Sequence, residues 1–318
     1  MKILKFATIS LTSLLMATSF TGCGESQNST ASNSTASDST VSTQTSNNST
    51  SNNFASSSST PSTSSSSTPT SSSTSGSSSI SFENVKNGDM FYFLGKSTNT
   101  VSKYPAVGFN YSLVTIDMED STEAEIAELQ NNGTFVICYI SAGTSENGRS
   151  DEASFAAYTG NGVSGWPDEK WLDISNPAVL SLMQKRIDKA AAKGCNGIEF
   201  DNVDGYSNNT GFALSYQNQI DYNKGLAQYA KSKNLKTALK NDVDQVADLE
   251  PYFDMAINEE CNSYNECAPY DKFLSDNKPV FNIEYSEPKN LYAQTSLFKS
   301  YLADLDLTGK KYLKLPLQ

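Results

Sequence analysis

The sequence has no histidine among its 318 residues. That absence removes Ser-His-Asp and Cys-His nucleophile systems and every His-bearing zinc site. General acid and base work must then fall to Asp, Glu, Lys, Tyr or Cys. Cysteine is scarce: there are five, and none stand in a CxxC pair, the spacing a four-cysteine zinc site requires. Positive charge is also short, with 23 Lys and Arg against 35 Asp and Glu and a net charge of −12. So acidic a chain is a poor partner for nucleic acid and a better one for a cationic ligand. Long apolar runs are missing too. The stretch through Leu14, Leu15 and Met16 is interrupted by Ser and Thr and is too short to span a bilayer.

What is present divides the chain into three. Residues 1–22 begin with Lys2 and Lys5, continue through the apolar stretch, and end in small residues before Cys23. This is the pattern of a secretory signal. Its end resembles a bacterial lipoprotein box, which implies lipidation of Cys23, although Phe20 stands where that box usually has Leu. Residues 23–79 are almost wholly Ser, Thr and Asn, with Val41 and Phe54 the only large apolar side chains. A segment so poor in apolar surface cannot offset its conformational entropy. It is expected to be a disordered tether reaching roughly 40 Å root-mean-square. Residues 80–318 have the length and composition of one domain. The expected setting is extracytoplasmic, with the domain lipid-anchored to a bacterial membrane as a monomer.

In an exported chain, the remaining Cys138, Cys195, Cys261 and Cys267 form an even set that favours disulfides. Cys261 and Cys267 are close enough to clip one loop. Cys138 and Cys195 are then the other pair, with buried free thiols as the alternative for both.

The domain alternates short apolar strands with helical patterns. Strands are expected at 91–95, 113–119, 134–141, 197–202, 236–241, 255–259, 279–285 and 311–317. Helices are expected at 121–131, 176–193, 214–232, 243–250, 270–275 and 291–303. Pro177 stands in a first turn and Gly194 just past an end, the usual punctuation of a helix. Eight strands alternating with helices over about 240 residues predict a (β/α)₈ barrel of the TIM type. A doubly wound sheet is the alternative, but no Gly-rich phosphate loop follows the first strand.

Active sites of such barrels lie at the C-terminal ends of the strands, and here those ends are rich in carboxylates. Strand two ends with Asp117 and Glu119. Strand three carries Tyr139 and leads to Glu146. In GIEFDNVDGY, alternation puts Glu199 and Asp201 on one face, with Asn202, Asp204 and Tyr206 following. Lys240 ends strand five, Asn258 and Glu259 strand six, and Glu284 and Tyr285 strand seven. Side-by-side carboxylates on a buried strand are costly unless a site uses them. Paired carboxylates hydrolyse glycosidic bonds, one protonating the leaving oxygen and the other acting as nucleophile or base. Tyr111, Tyr139, Trp166, Trp171, Tyr206, Tyr264 and Tyr285 fall near the same loops, where aromatic rings offer flat platforms to sugars or pack with a satisfied polar tip. DNVDGYSNNTG and DVDQVADLE resemble calcium loops only superficially, since their ligand positions do not match the spacing. No metal or cofactor is expected.

The motifs VICYISAGTSENGRSD, WLDIS, GCNGIEFDNVDGYSNNTG, LKN, INEECNSYNECAPY and KPVFNIEY follow one another over roughly residues 111–286. In this order they resemble glycoside hydrolase family 114, the endo-α-1,4-polygalactosaminidases. The resemblance implies a (β/α)₈ barrel that cuts α-1,4-linked galactosamine or N-acetylgalactosamine polysaccharide. It also implies a catalytic pair at Asp201 and Glu259. EFDN stands here where relatives often have DPDN, and Glu260 where Gln is common. Between Glu199 and Asp201, the latter is preferred because it lies nearer the strand end, and Glu284 is held in reserve. The supporting, substrate-facing set is Asp117, Glu119, Tyr139, Glu146, Glu199, Asn202, Asp204, Tyr206, Lys240, Asn258, Glu284 and Tyr285. Lys240 is suited to keep a neighbouring carboxylate ionised. The alternatives are a tethered carbohydrate-binding protein without activity, or a hydrolase of the same family acting on another glycan.

Overall fold

The computed structural model describes residues 81–95 and 111–317. The expected signal at 1–22, the expected lipidation of Cys23 and the expected tether to residue 79 lie outside these residues. Among the described residues, nine strands form one sheet: β1 (Asp89–Phe93), β2 (Tyr111–Asp117), β3 (Phe135–Ser141), β7 (Gly197–Asp201), β8 (Lys236–Lys240), β9 (Met255–Glu259), β10 (Val280–Glu284), β11 (Phe298–Ala303) and β12 (Tyr312–Lys314). The first eight are parallel to their neighbours in that order, and only β12 runs antiparallel, against β11. Helices between the strands complete the expected barrel architecture.

Local chemistry explains the larger helices. In α2 (Glu123–Asn131), Thr122 and Glu125 form a reciprocal capping box. Asn176 caps α4 (Pro177–Ala192) and Pro177 occupies its first turn. Gly194, at φ 86°, takes up the left-handed turn beyond it. Val179, Met183, Ile187 and Ala190 of α4 make one buried stripe. Burial of each of the three larger side chains contributes roughly 1.5–3 kcal/mol. Ser215 and Asn218 form a second capping box on α5 (Tyr216–Ser232).

Side chains zip the seam between β1 and β12. The Tyr312 hydroxyl donates to the Met90 carbonyl at 2.8 Å, and the Tyr301 hydroxyl accepts the Met90 N–H at 3.0 Å. Lys314 pairs with Asp89 at 2.6 Å. Cys138 on β3 is bonded to Cys195 just before β7, and Cys261 to Cys267, so both expected pairs are present.

Three expectations are corrected. The segment expected as a helix at 291–303 contains the eighth parallel strand, β11, all of whose residues are buried. Leu, Ala and Lys give it a helical composition, but pairing with β10 decides otherwise. The strand expected at 311–317 is the short antiparallel β12. The helix expected at 243–250 is only the single turn α6 (Val246–Leu249) flanked by 3₁₀ turns. One unit was not expected: β4 (Thr144–Glu146), β5 (Thr159–Val163) and β6 (Trp166–Leu172) form a separate antiparallel sheet between β3 and α4.

Candidate active site

Register determines which carboxylates face inward. Asp117 pairs with Tyr139, and Tyr139 with Glu199. Glu199 pairs with Ala238, two residues before Lys240, and Lys240 pairs with Ile257, two residues before Glu259. Residues in register and residues two apart share a face. Tyr139, Glu199, Asp201, Lys240 and Glu259 therefore project to one side of the barrel, and their contacts agree. The Lys240 ammonium, 1% exposed, lies 3.3 Å from Glu199 Oε1, 3.5 Å from Asp201 Oδ1 and 3.6 Å from Glu259 Oε1. Two oxygens at 3.5 and 3.6 Å from one nitrogen are within about 7 Å of each other.

Each acid also accepts a tyrosine hydroxyl. Tyr92 donates to Glu199 Oε1 at 2.6 Å and Tyr139 to Asp201 Oδ2 at 3.0 Å, and Tyr285 donates to Glu259 Oε1. Lys240 itself donates to the Tyr92 oxygen at 3.0 Å. These contacts divide the roles electrostatically. Burial pushes the Glu199 carboxyl up to about 7, with Asp201 and Glu259 adding to the effect against the pull of Lys240 and Tyr92. Burial works the same way on Asp201, but there the Lys240 ammonium at 3.5 Å is the largest opposing influence and the Asn202 backbone N–H adds to it, both favouring the ionised carboxylate. Burial opposes the charge on Lys240, yet the three carboxylates raise it well above an ordinary lysine.

The loops after β7, β8 and β9 turn sharply through left-handed residues: Asn202 (φ 58°), Asn241 (φ 51°), Asp242 (φ 48°) and Glu260 (φ 60°). Asn tolerates this conformation because its short amide bonds to nearby backbone. The Asn241 Oδ1 accepts the Glu259 N–H at 2.8 Å and an Asn258 Nδ2 hydrogen at 3.2 Å, so it sets the end of β9. Gly143 sits where the small sheet joins the barrel. Its N–H donates to the Asp201 carbonyl, and a Cβ there would lie 1.7 Å from the Asn202 carbonyl oxygen. Only glycine allows that approach.

A cleft of about 560 Å³ opens above the acids. Asp201, Glu259, Lys240, Tyr139 and Tyr285 line it, as do Asp117, Glu119 and Glu146. Among the described residues, nine carboxyl side chains line it against two cations, Lys240 and Arg149. Arg149 bridges Asp117, at 2.6 and 2.8 Å, and Glu146, at 2.7 Å. Glu119 is lowered to about 2 because Lys189, at 2.5 Å, overcomes the effect of burial. Among the aromatic candidates, Trp166 faces the cleft and is 37% exposed. Trp171 is buried, Tyr111 packs on Phe91, and Tyr264 is exposed away from the lining.

Six of the expected substrate-facing residues do not line the cleft. Glu199 lies beneath it, fully buried. Asn202 points back to Ser141, and Asp204 is buried behind the end of β7. Tyr206 packs edge-on against Tyr216. Asn258 donates to the Tyr270 hydroxyl oxygen on the helical side. Asn258 is in register with Asn282, so Glu284, two residues on, also faces the helices and accepts from the Asn262 N–H and the Ser263 hydroxyl. Conversely, sequence reasoning missed Glu169 and Arg149's bridging role, both set by the small sheet or its loops. Among the described residues, no group of three or more His, Cys, Asp or Glu is placed to hold a metal ion.

The sequence matches the family model of glycoside hydrolase family GH114 over residues 71–313. The structure is similar to that of Ega3 from Aspergillus fumigatus, solved in complex with galactosamine: 31% identity, 72% of this chain and 96% of that one, TM-score 0.63. It shares its fold with the glycoside hydrolase domain of PelA from Pseudomonas aeruginosa at 13% identity, 71% and 96% coverage and TM-score 0.52. Among curated proteins, none matches the sequence.

Proposed function

The chain belongs to glycoside hydrolase family 114, and we propose that it is an endo-hydrolase of α-1,4-linked galactosamine or N-acetylgalactosamine polysaccharide. One observation carries the reading: Asp201 and Glu259 flank a single buried ammonium at the floor of a strongly acidic cleft. The acidic lining suits a polymer bearing free amines, and Ega3, the relative at 31% identity, was solved with galactosamine bound.

In this reading Asp201 is the nucleophile, since Lys240 keeps it ionised. Glu259 is the acid. It gives its proton to the glycosidic oxygen as the C1–O bond breaks and Asp201 bonds to C1. Water then attacks C1, returns a proton to Glu259 and frees Asp201. The Oε1 of Glu259 is engaged by Lys240 and Tyr285, which leaves Oε2 to carry the proton. Carboxyl groups are roughly 5–5.5 Å apart in retaining enzymes and roughly 6.5–9.5 Å apart in inverting ones. The two Lys240 contacts hold the pair within about 7 Å, a span that takes in the shorter range, and retention of configuration is the outcome we propose.

Two disulfides accord with an oxidising compartment, and we place the enzyme outside the cytoplasm as a monomer lipid-anchored through Cys23. The test of function is incubation with partly deacetylated α-1,4-galactosaminan. An endo-hydrolase produces new reducing ends with an early fall in chain length, and its first-formed products keep the α-anomer. Folded protein that releases no reducing ends contradicts the reading.

A further inference from the structure

Glu169 stands on β6 with Asp168 and Lys170, its neighbours, exposed while it is 8% exposed. It lines the cleft together with Asp201. In the antiparallel β4–β6 pair it lies directly opposite Glu146. Like charges so placed repel each other, and nearby cations relieve only one of the two. Arg149 is taken up by Glu146 and Asp117, and Lys240 by Glu199, Asp201 and Glu259. Glu169 has no ion-pair partner among the described residues. Its Oε2 accepts the Thr144 hydroxyl at 2.9 Å and an Asn202 Nδ2 hydrogen at 3.4 Å, which fix the carboxyl without neutralising it. A buried carboxylate without a counter-ion is costly.

We propose that the substrate supplies the missing cation: Glu169 binds the 2-ammonium of a galactosaminyl residue held beside Asp201 and so selects de-N-acetylated sugar over the acetylated form. The inference rests on the glycosidase reading above for the kind of ligand. Asn202 ties the two roles together, because it follows Asp201 directly in the chain and donates to Glu169. An acetamido group is neutral and bulkier, and it leaves Glu169 and Glu146 opposed. Burial and Glu146 push the Glu169 carboxyl up to about 7, as expected of an acid waiting for a cation.

The test measures binding by calorimetry in an Asp201→Asn background, which prevents turnover. The probes are short α-1,4-galactosamine oligosaccharides, fully deacetylated or fully N-acetylated. Adding Glu169→Gln keeps the size and the Thr144 contact but removes the charge. It is expected to weaken the deacetylated ligand by roughly ten- to a hundredfold, as for loss of a charged hydrogen bond, and to change the acetylated ligand by less than about threefold. Glu169→Asp, which keeps the charge but draws it back, is expected to give intermediate selectivity and serves if the glutamine variant does not fold. Equal weakening of both ligands would reduce Glu169 to a support for Asn202 and overturn the proposal. No weakening, or no binding of either ligand by the parent, would also overturn it. Charge-dependent selectivity without cleavage by the unmodified chain would leave this inference standing while the proposed hydrolysis fell.

Discussion

Consider replacement of Lys240 by methionine, which keeps most of the stem and removes the charge. Unit charges about 3.5 Å apart attract by roughly 5 kcal/mol at an effective dielectric constant of about 20, and Lys240 faces three carboxylates at 3.3–3.6 Å. Without it, Glu199, Asp201 and Glu259 are left as like charges in a water-poor site. The cost of removing one partner from a buried ionic cluster is about 3–5 kcal/mol. The carboxyls lessen it by taking up protons, Asp201 included, because burial then acts on it with the largest opposing charge removed. Two results follow. The acidic limb of kcat/KM, set by ionisation of the nucleophile, moves to higher pH, and activity near pH 7 falls by about 10³-fold or more. Stability acquires a pH dependence of known sign. Carboxyls with folded-state pKa values above their unfolded ones stabilise fully below the unfolded value, and that contribution is lost as pH rises through the folded value. Lys240→Met should therefore lose more stability, relative to the parent, at pH 8 than at pH 5. Reducing-end assays from pH 4 to 9 and denaturant melts at both pH values check this. An unmoved acidic limb would refute the claim that Lys240 keeps Asp201 ionised.

Three further outcomes are expected. Glu199 carries a carboxyl raised to about 7, so the parent should lose stability between about pH 4.5 and 7; Glu199→Gln should flatten that part of a pH series of denaturant melts. Glu284→Gln should leave kcat/KM within about threefold, because the side chain faces the helices, yet cost roughly 1–3 kcal/mol in unfolding for its disturbed bonds to Asn262 and Ser263; a large loss of turnover with unchanged stability would restore it as a catalytic candidate. Removing Cys138–Cys195, which spans 57 residues, should cost about 4 kcal/mol by the chain-entropy relation, against about 2 kcal/mol for Cys261–Cys267, which spans 6. Paired alanine variants compared by denaturant melts give both values.

Much of the barrel was legible because its strands are short apolar runs ended by turn residues, and the long helices carry their own caps. Phe298–Ala303 was not, since FKSYLA has no β-branched residue and gains its strand character from pairing with β10. The small sheet was missed for a related reason. WPDEKWL carries three charged residues and a proline and is exposed at four of its seven positions, and its strand pairs lie outside the barrel pattern. Glu169 was hidden with it. The one available signal was the burial of alternate residues in that run, visible only once β4 lies alongside. Carboxylates at strand ends were easy to find but not to orient. MAINE ends with Asn and Glu adjacent and VFNIE with them two apart, so the register that matches Asn258 with Asn282 sends Glu259 into the barrel and Glu284 away from it. Residue type identified candidates, and only pairing sorted them.

The most direct test of the central claim compares reducing-end release from α-1,4-galactosaminan by the parent, Asp201→Asn and Glu259→Gln, each confirmed folded by its thermal melt. The account predicts release by the parent and a loss of at least about 10³-fold in kcat for each variant, with the polymer still bound. Near-parental turnover by either folded variant would contradict it.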